Sequence, residues 1–231
     1  MADSAYVTAN GTKFVNAPAD STVYSIWIGT NDLGIDAILT DSQVPGTTLV
    51  TYMDCVFDQV QSLYNLGARF FVLQNVAPLQ LTPLYGLPGQ GGVGNNQYWP
   101  NKSSQNLTAI SDRMLEQVVT VNAIYEYRTP YIAKIINSFP GASFAVMDMN
   151  RLFTDIYNYP SRYLNGTAPY NTTGYINHCS VNGTNCVRQD DPDSFLWFDE
   201  LHPSEQTERV VASTFVDVIN GISPFATYWS S

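Results

Sequence analysis

"STVYSIWIGTND", residues 21–32, opens with an apolar, β-rich run from Val23 to Ile28 and breaks at Gly29. A short apolar run closed by a turn residue reads as a buried strand. Gly29 allows a sharp turn, so Asn31 emerges at the strand's carboxyl end. Residues 30–48 are turn-rich, with at most a short helical piece. Leu49, Met53, Val56, Val60, Leu63 and Tyr64 then recur at helical spacing, and Gly67 is placed to cap that helix. "RFFVLQNVAPL" (69–79) is a second buried strand. A helix of this length between two such strands suits a parallel crossover.

Residues 78–101, "PLQLTPLYGLPGQGGVGNNQYWPN", are dominated by Pro, Gly and Asn. A loop this long is more often functional or mobile than merely connecting. A long helix follows, striped by Leu107, Ile110, Met114, Leu115, Val118, Val121, Ile124 and Tyr125. Pro130 should kink or restart it, with Ile132, Ile135 and Ile136 continuing the stripe. "ASFAVMDM" (142–149) is a third strand, and residues 150–195 form a polar excursion rich in Tyr and Asn. Val210, Val211, Thr214, Phe215, Val218 and Ile219 mark a last helix with Ser204 as its N-cap. Strands and helices alternate, with no internal repeat and no linker between domains. The expectation is one α/β domain over 21–231 after an irregular segment, 1–20. Ligands in such folds sit beyond the carboxyl ends of the strands. "GTND", the 78–101 loop and the 150–202 excursion all fall there.

The chain of 231 residues is 45% hydrophobic and 13% charged, a globular balance. Its net charge of −10 repels phosphate backbones and anionic membranes, so neither nucleic acid nor a membrane is an expected partner. No apolar run approaches the ~18 residues that cross a bilayer. N-x-S/T sequons begin at Asn10, Asn101, Asn106, Asn165, Asn171 and Asn182. Cys179 and Cys186 close a polar loop that suits a disulfide, two reduced loop cysteines being the alternative. Cys55 is left as a buried thiol or as the widow of a partner elsewhere. Together these features point to an extracellular glycoprotein. "MADSAYVTANGTKF" (1–14) has neither the charged start nor the apolar core of a signal peptide. The expectation is a signal already removed, or a chain beginning partway through a longer protein.

"FDELHPSEQTERVV" (198–211) holds Asp199 three residues before His202. In a turn entering a helix the carboxylate can hold the ring, fix its tautomer and stabilise imidazolium. A solvated turn or a helix cap has the same spacing. The Asn31 amide can donate to a developing oxyanion, worth ~3 kcal/mol; an Asx turn is the plainer alternative. His178, beside Cys179, reads as structural or solvated, and Asp190, Asp191 and Asp193 as a solvated acidic run without calcium-loop spacing. Two histidines far apart and two paired cysteines argue against zinc, so no metal is expected. Tyr85, Trp99 and Trp197 can stack on sugar rings or simply pack.

In this order, "GTND" (29–32) and "DELHP" (199–203) resemble the third and fifth blocks of the SGNH, or GDSL-type, hydrolase superfamily. "YSIWIGTNDLG" with "WFDELHPSEQTERVVA" most resembles fungal secreted carbohydrate esterases of family 16, which are acetyl esterases. The resemblance runs from about Ser21 to the C-terminus. It implies a three-layer α/β/α fold with a parallel sheet, and a serine ester hydrolase without cofactor. It also implies acetylated carbohydrate or another small ester as substrate; a monomer is expected. By that match His202 is the general base, Asp199 its partner, Asn31 an oxyanion donor and Gly29 the turn that presents it.

The family's nucleophile sits in a G-D-S block on the first strand, and a second block adds a glycine amide to the oxyanion hole. Asp3-Ser4 is the nearest match, but Ser4 lies only 21 residues before Ser25. One βαβ unit already needs ~30 residues. Gly11 is equally badly placed, and no G-x-S-x-G elbow occurs. The expectation is a chain lacking its first βαβα unit, with no nucleophile of its own and little or no esterase activity. Its 21–29 strand is then an unprotected apolar edge. The alternatives are a non-catalytic truncated product or carbohydrate-binding remnant, and a glycosidase using Asp32 and Asp199.

Overall fold

The computed structural model describes residues 18–231. Ser4, Gly11, the Asn10 sequon and nearly all of the 1–20 segment lie outside the described residues. Three expected strands form within the stretches read from sequence: β1 (Val23–Trp27), β2 (Phe70–Gln74) and β3 (Ser143–Met147). They are parallel, with β2 between the others, Val23 opposite Phe70 and Phe70 opposite Ser143. A fourth strand, β4 (Ala226–Ser230), runs antiparallel to β3, so the sheet is mostly rather than wholly parallel. Its sequence, "ATYWS", is too short and too polar to stand out from a C-terminal tail. Among the described residues β1 and β4 are the outer strands.

Among the described residues the short helix α1 (Thr30–Leu33) follows the end of β1, and the helices that cover the sheet are α2 (Leu49–Asn65), α3 (Leu107–Pro130), α4 (Met149–Asn158) and α5 (Glu205–Ile219). Successive strand residues point to opposite faces. Phe71, Leu73, Phe144 and Val146 therefore pack with α2 and α3, while Val72, Ala145 and Met147 pack with α4 and α5. Phe71 stacks on Phe144 with ring centroids 5.1 Å apart. Burying each such side chain contributes roughly 2–3 kcal/mol. This is the three-layer arrangement the resemblance implied.

Local chemistry sets the helix ends. Thr48 accepts from the Thr51 amide while Thr51 accepts from the Thr48 amide, a reciprocal cap on α2. Gly67, at φ 107°, takes the left-handed position just beyond that helix. Asn106 caps α3 through the Ala109 amide. Met114, Val118, Val121 and Tyr125 are buried as the stripe required, but Leu115 is exposed. Pro130 has no amide hydrogen, and beyond it the backbone widens into a π-turn, Tyr131–Ile135. The wider turn rotates the residues after it out of the stripe: Ile132 stays buried, whereas Ile135 and Ile136 are 73% and 51% exposed, against the expected continuation.

Two further corrections concern the 150–195 excursion and Cys55. The excursion begins with a helix, α4, whose Met149, Leu152, Phe153 and Ile156 follow the i, i+3, i+4, i+7 pattern and are buried. Asp148 caps it, accepting from the Arg151 amide. Beyond α4, Cys179 and Cys186 form the expected disulfide. Cys55 is a free, exposed thiol rather than a buried one. Among the described residues no helix is long and apolar enough to cross a membrane.

Candidate functional site

The end of β1 is held from below. The backbone leaves Trp27 and turns at Gly29, at φ 121° and ψ −23°. The Tyr52 hydroxyl, from α2, donates to the Ile28 carbonyl at 3.1 Å. A Cβ on Gly29 would stand 2.6 Å from that hydroxyl and 2.9 Å from a Val76 methyl. Only glycine fits this turn, on both backbone and contact grounds. α1 begins at once and carries Asn31.

Asn31 and His202 line one cavity of about 270 Å³, beyond the carboxyl end of β1. Trp27, Ile28, Phe153 and Trp197 give it apolar walls. His202 lies in the turn before α5, whose N-cap Ser204 accepts from the Thr207 amide. Asp199 is 4% exposed, and its carboxylate is saturated with donors. Oδ1 accepts from the Leu201 and His202 amides at 2.9 and 2.7 Å. His202 Nδ1 lies 2.9 Å from Oδ2 and 3.0 Å from Oδ1. A carboxylate only accepts, so Nδ1 carries the hydrogen and Nε2 is left as the basic nitrogen.

The pair shifts both groups. Burial pushes the Asp199 carboxyl up, but hydrogen bonds from His202, Leu201 and Tyr98 outweigh it and hold the group below the usual carboxylate range. The hydrogen bond to Asp199 raises His202 above an ordinary imidazole; burial opposes this, and the charges of Asp199, Glu200 and Glu208 add to it. Asp199→Asn should therefore bring the His202 titration back toward the ordinary value. A proton NMR titration of the ring checks this, since the chain has only 2 histidines. No downward movement would mean that Asp199 does not govern the ring.

Other sequence candidates are distributed differently. Trp197 is in the cavity wall but 1% exposed, its Nε1 donating to the Thr172 carbonyl. Tyr85 and Trp99 are buried in the core on the α2–α3 side. The Tyr85 hydroxyl accepts from the Ile35 amide. Asp32 is not among the cavity-lining residues; its charge acts on Tyr52 and Tyr125. His178 stacks on Tyr175 at 4.1 Å. Asp191 accepts from the Thr167 amide and the Ser194 hydroxyl, and Asp193 pairs with Arg209. Among the described residues no group of three or more His, Cys, Asp or Glu side chains is placed to hold a metal ion. No serine of the described residues lines the cavity.

Sequence reading missed Tyr98. Its hydroxyl donates to Asp199 Oδ2 at 2.7 Å and lies 3.4 Å from His202 Nδ1. Beside it, Gln97 donates to the buried Glu200 at 2.8 Å. Two adjacent residues of the 78–101 loop thus grip two adjacent carboxylates. The only signal was an aromatic pair in a Gly- and Asn-rich loop, which does not say what it meets.

A model of the GDSL-like lipase/acylhydrolase family matches residues 5–215. An acetylesterase of Hypocrea jecorina is 45% identical over 210 residues, covering 90% of this chain and 60% of that protein. An acetylesterase of Thermothelomyces thermophilus is 27% identical over 203 residues, covering 88% and 54%. The GDSL esterase/lipase EXL5 of Arabidopsis thaliana is 25% identical over 195 residues, covering 83% and 48%. The chain therefore spans about half to 60% of the length of these relatives.

Proposed function

Because the chain belongs to the GDSL-like lipase/acylhydrolase family, we propose that it carries the acid–base and oxyanion side of a serine ester hydrolase acting on acetylated carbohydrates. The observation that carries this reading is the shared cavity of Asn31 and His202, with Asp199 holding the far side of the ring. The acetylesterase names of the two fungal relatives support the acyl group.

The chemistry rests on the geometry. A serine hydroxyl attacks the ester carbonyl, and His202 Nε2 takes its proton. Asp199 steadies the imidazolium that results, and the Asn31 amide donates to the oxygen on which charge develops. His202 then returns the proton to the leaving alcohol, and later activates the water that releases acetate. The serine is not supplied by residues lining the cavity here, so the proposal places it outside the described residues. Since the base must be neutral, hydrolysis should rise with pH through the raised His202 titration. An extracellular location belongs to the same proposal; the Cys179–Cys186 disulfide and the exposed sequons at Asn101, Asn165 and Asn182 support it.

The test is complementation. This chain is joined to the part of the Hypocrea jecorina relative that it does not span, and the product is assayed on acetyl and longer acyl esters and on aryl glycosides. Acetyl ester hydrolysis is expected; cleavage of glycosides alone would replace the reading with a two-carboxylate one.

A further inference from the structure

Tyr98 is delivered to the Asp199–His202 pair by a loop built to hold it still. The amides of Tyr98 and Trp99 both donate to Asn96 Oδ1, at 2.9 and 3.0 Å. Trp99, next in the chain, is buried in the core. Gln97, the preceding residue, is tied to Glu200. The backbone on both sides of Tyr98 is thereby fixed, and the ring meets His202 edge-on with centroids 5.7 Å apart.

We propose that Tyr98 is a positioning residue for the pair: its hydroxyl fixes the Asp199 carboxylate and takes up part of its negative charge. The role rests on the esterase reading only for its purpose, since the contact itself is independent of any reaction. The ring Nδ1 faces both carboxylate oxygens, at 3.0 Å from Oδ1 and 2.9 Å from Oδ2; Oδ1 also accepts from two backbone amides, whereas Oδ2 accepts from none. Tyr98 donates to that same Oδ2. Two donors on one oxygen share its charge, so the Tyr98 hydroxyl weakens the pull of Asp199 on the imidazolium. It acts as a governor, keeping His202 basic enough to accept a proton yet able to give it up.

Other groups facing the ring must be held constant. They are the Glu200 and Glu208 carboxylates, besides Asp199 itself, while Tyr175 sits against Glu200. None is altered by Tyr98→Phe, which removes one oxygen and keeps the ring packing. The measurement is the proton NMR titration of the two histidines in the 231-residue chain. Tyr98→Phe is expected to raise the His202 titration by ~0.5 unit. If Tyr98→Phe proves unstable, 3-fluorotyrosine at position 98 keeps the shape and strengthens the donor, so His202 should move down. A His202 titration that stays fixed, or moves opposite to these directions, overturns the proposal. Neither outcome depends on ester turnover, so failure here is distinguishable from failure of the esterase reading.

Discussion

Expressed as these 231 residues, the protein is expected to turn over a small acetyl ester at no more than ~10⁻⁶ of the rate of a complete serine esterase. In such a site serine supplies the bond-forming atom, and histidine and aspartate only assist it. Among the described residues no serine lines the cavity that holds Asn31 and His202. The activity that survives loss of a nucleophile depends largely on an intact oxyanion hole. Among the described cavity-lining residues Asn31 stands without the serine amide and the second-block glycine that the family resemblance implies. The assay should include His202→Ala and Ser4→Ala, neither of which should change a near-background rate. Robust turnover abolished by Ser4→Ala would identify Ser4 as the nucleophile and overturn this reading of the chain.

The second large effect is on stability. Gly29→Ala is expected to lower the melting temperature by ~6–12 °C, corresponding to ~3 kcal/mol at ~2–4 °C per kcal/mol. Two costs combine. A residue with a Cβ is strained at φ 121°, by ~1–3 kcal/mol. The Cβ also meets the Tyr52 hydroxyl at 2.6 Å and Val76 Cγ2 at 2.9 Å. Tyr52 is buried and cannot swing aside, so the chain must shift, an overpacking cost of ~1–3 kcal/mol. Gly46→Ala separates the two. Gly46 also has a positive φ, 89°, but its Cβ would meet nothing within 4 Å. Paired thermal melts should show Gly29→Ala clearly the worse. Equal losses would mean that the contact with Tyr52 carries no weight.

The contrast between these two glycines shows where sequence reading works and where it stops. Gly29 was legible because an apolar run ended on it, and the turn that presents Asn31 is set locally; the strand itself is less buried than that run suggested, since among the described residues β1 is an outer strand with only Tyr24 buried and with Trp27 and Ile28 exposed. Asp199 and His202 were legible for the same reason: three residues in one turn fix their own geometry. Helix α2 announced itself through Met53, Val56, Val60 and Leu63, all buried. α4 was hidden because its apolar stripe is set among Asn, Arg, Thr and Asp, so its average character is polar. β4 was hidden because a strand at the sheet margin needs only one neighbour. Tyr85, Trp99 and Tyr98 could not be sorted, since the loop that carries them folds back across the chain. Two became core and the third met Asp199, 101 positions away. Nothing local distinguishes them.

The most direct measurement is the acetyl ester rate of the complemented chain, with and without His202→Ala. If this chain contributes the acid–base half of the site, the complemented protein hydrolyses the ester, and His202→Ala lowers turnover by at least ~10³-fold while leaving folding intact. Hydrolysis that persists at full rate after His202→Ala would contradict it, placing the chemistry elsewhere.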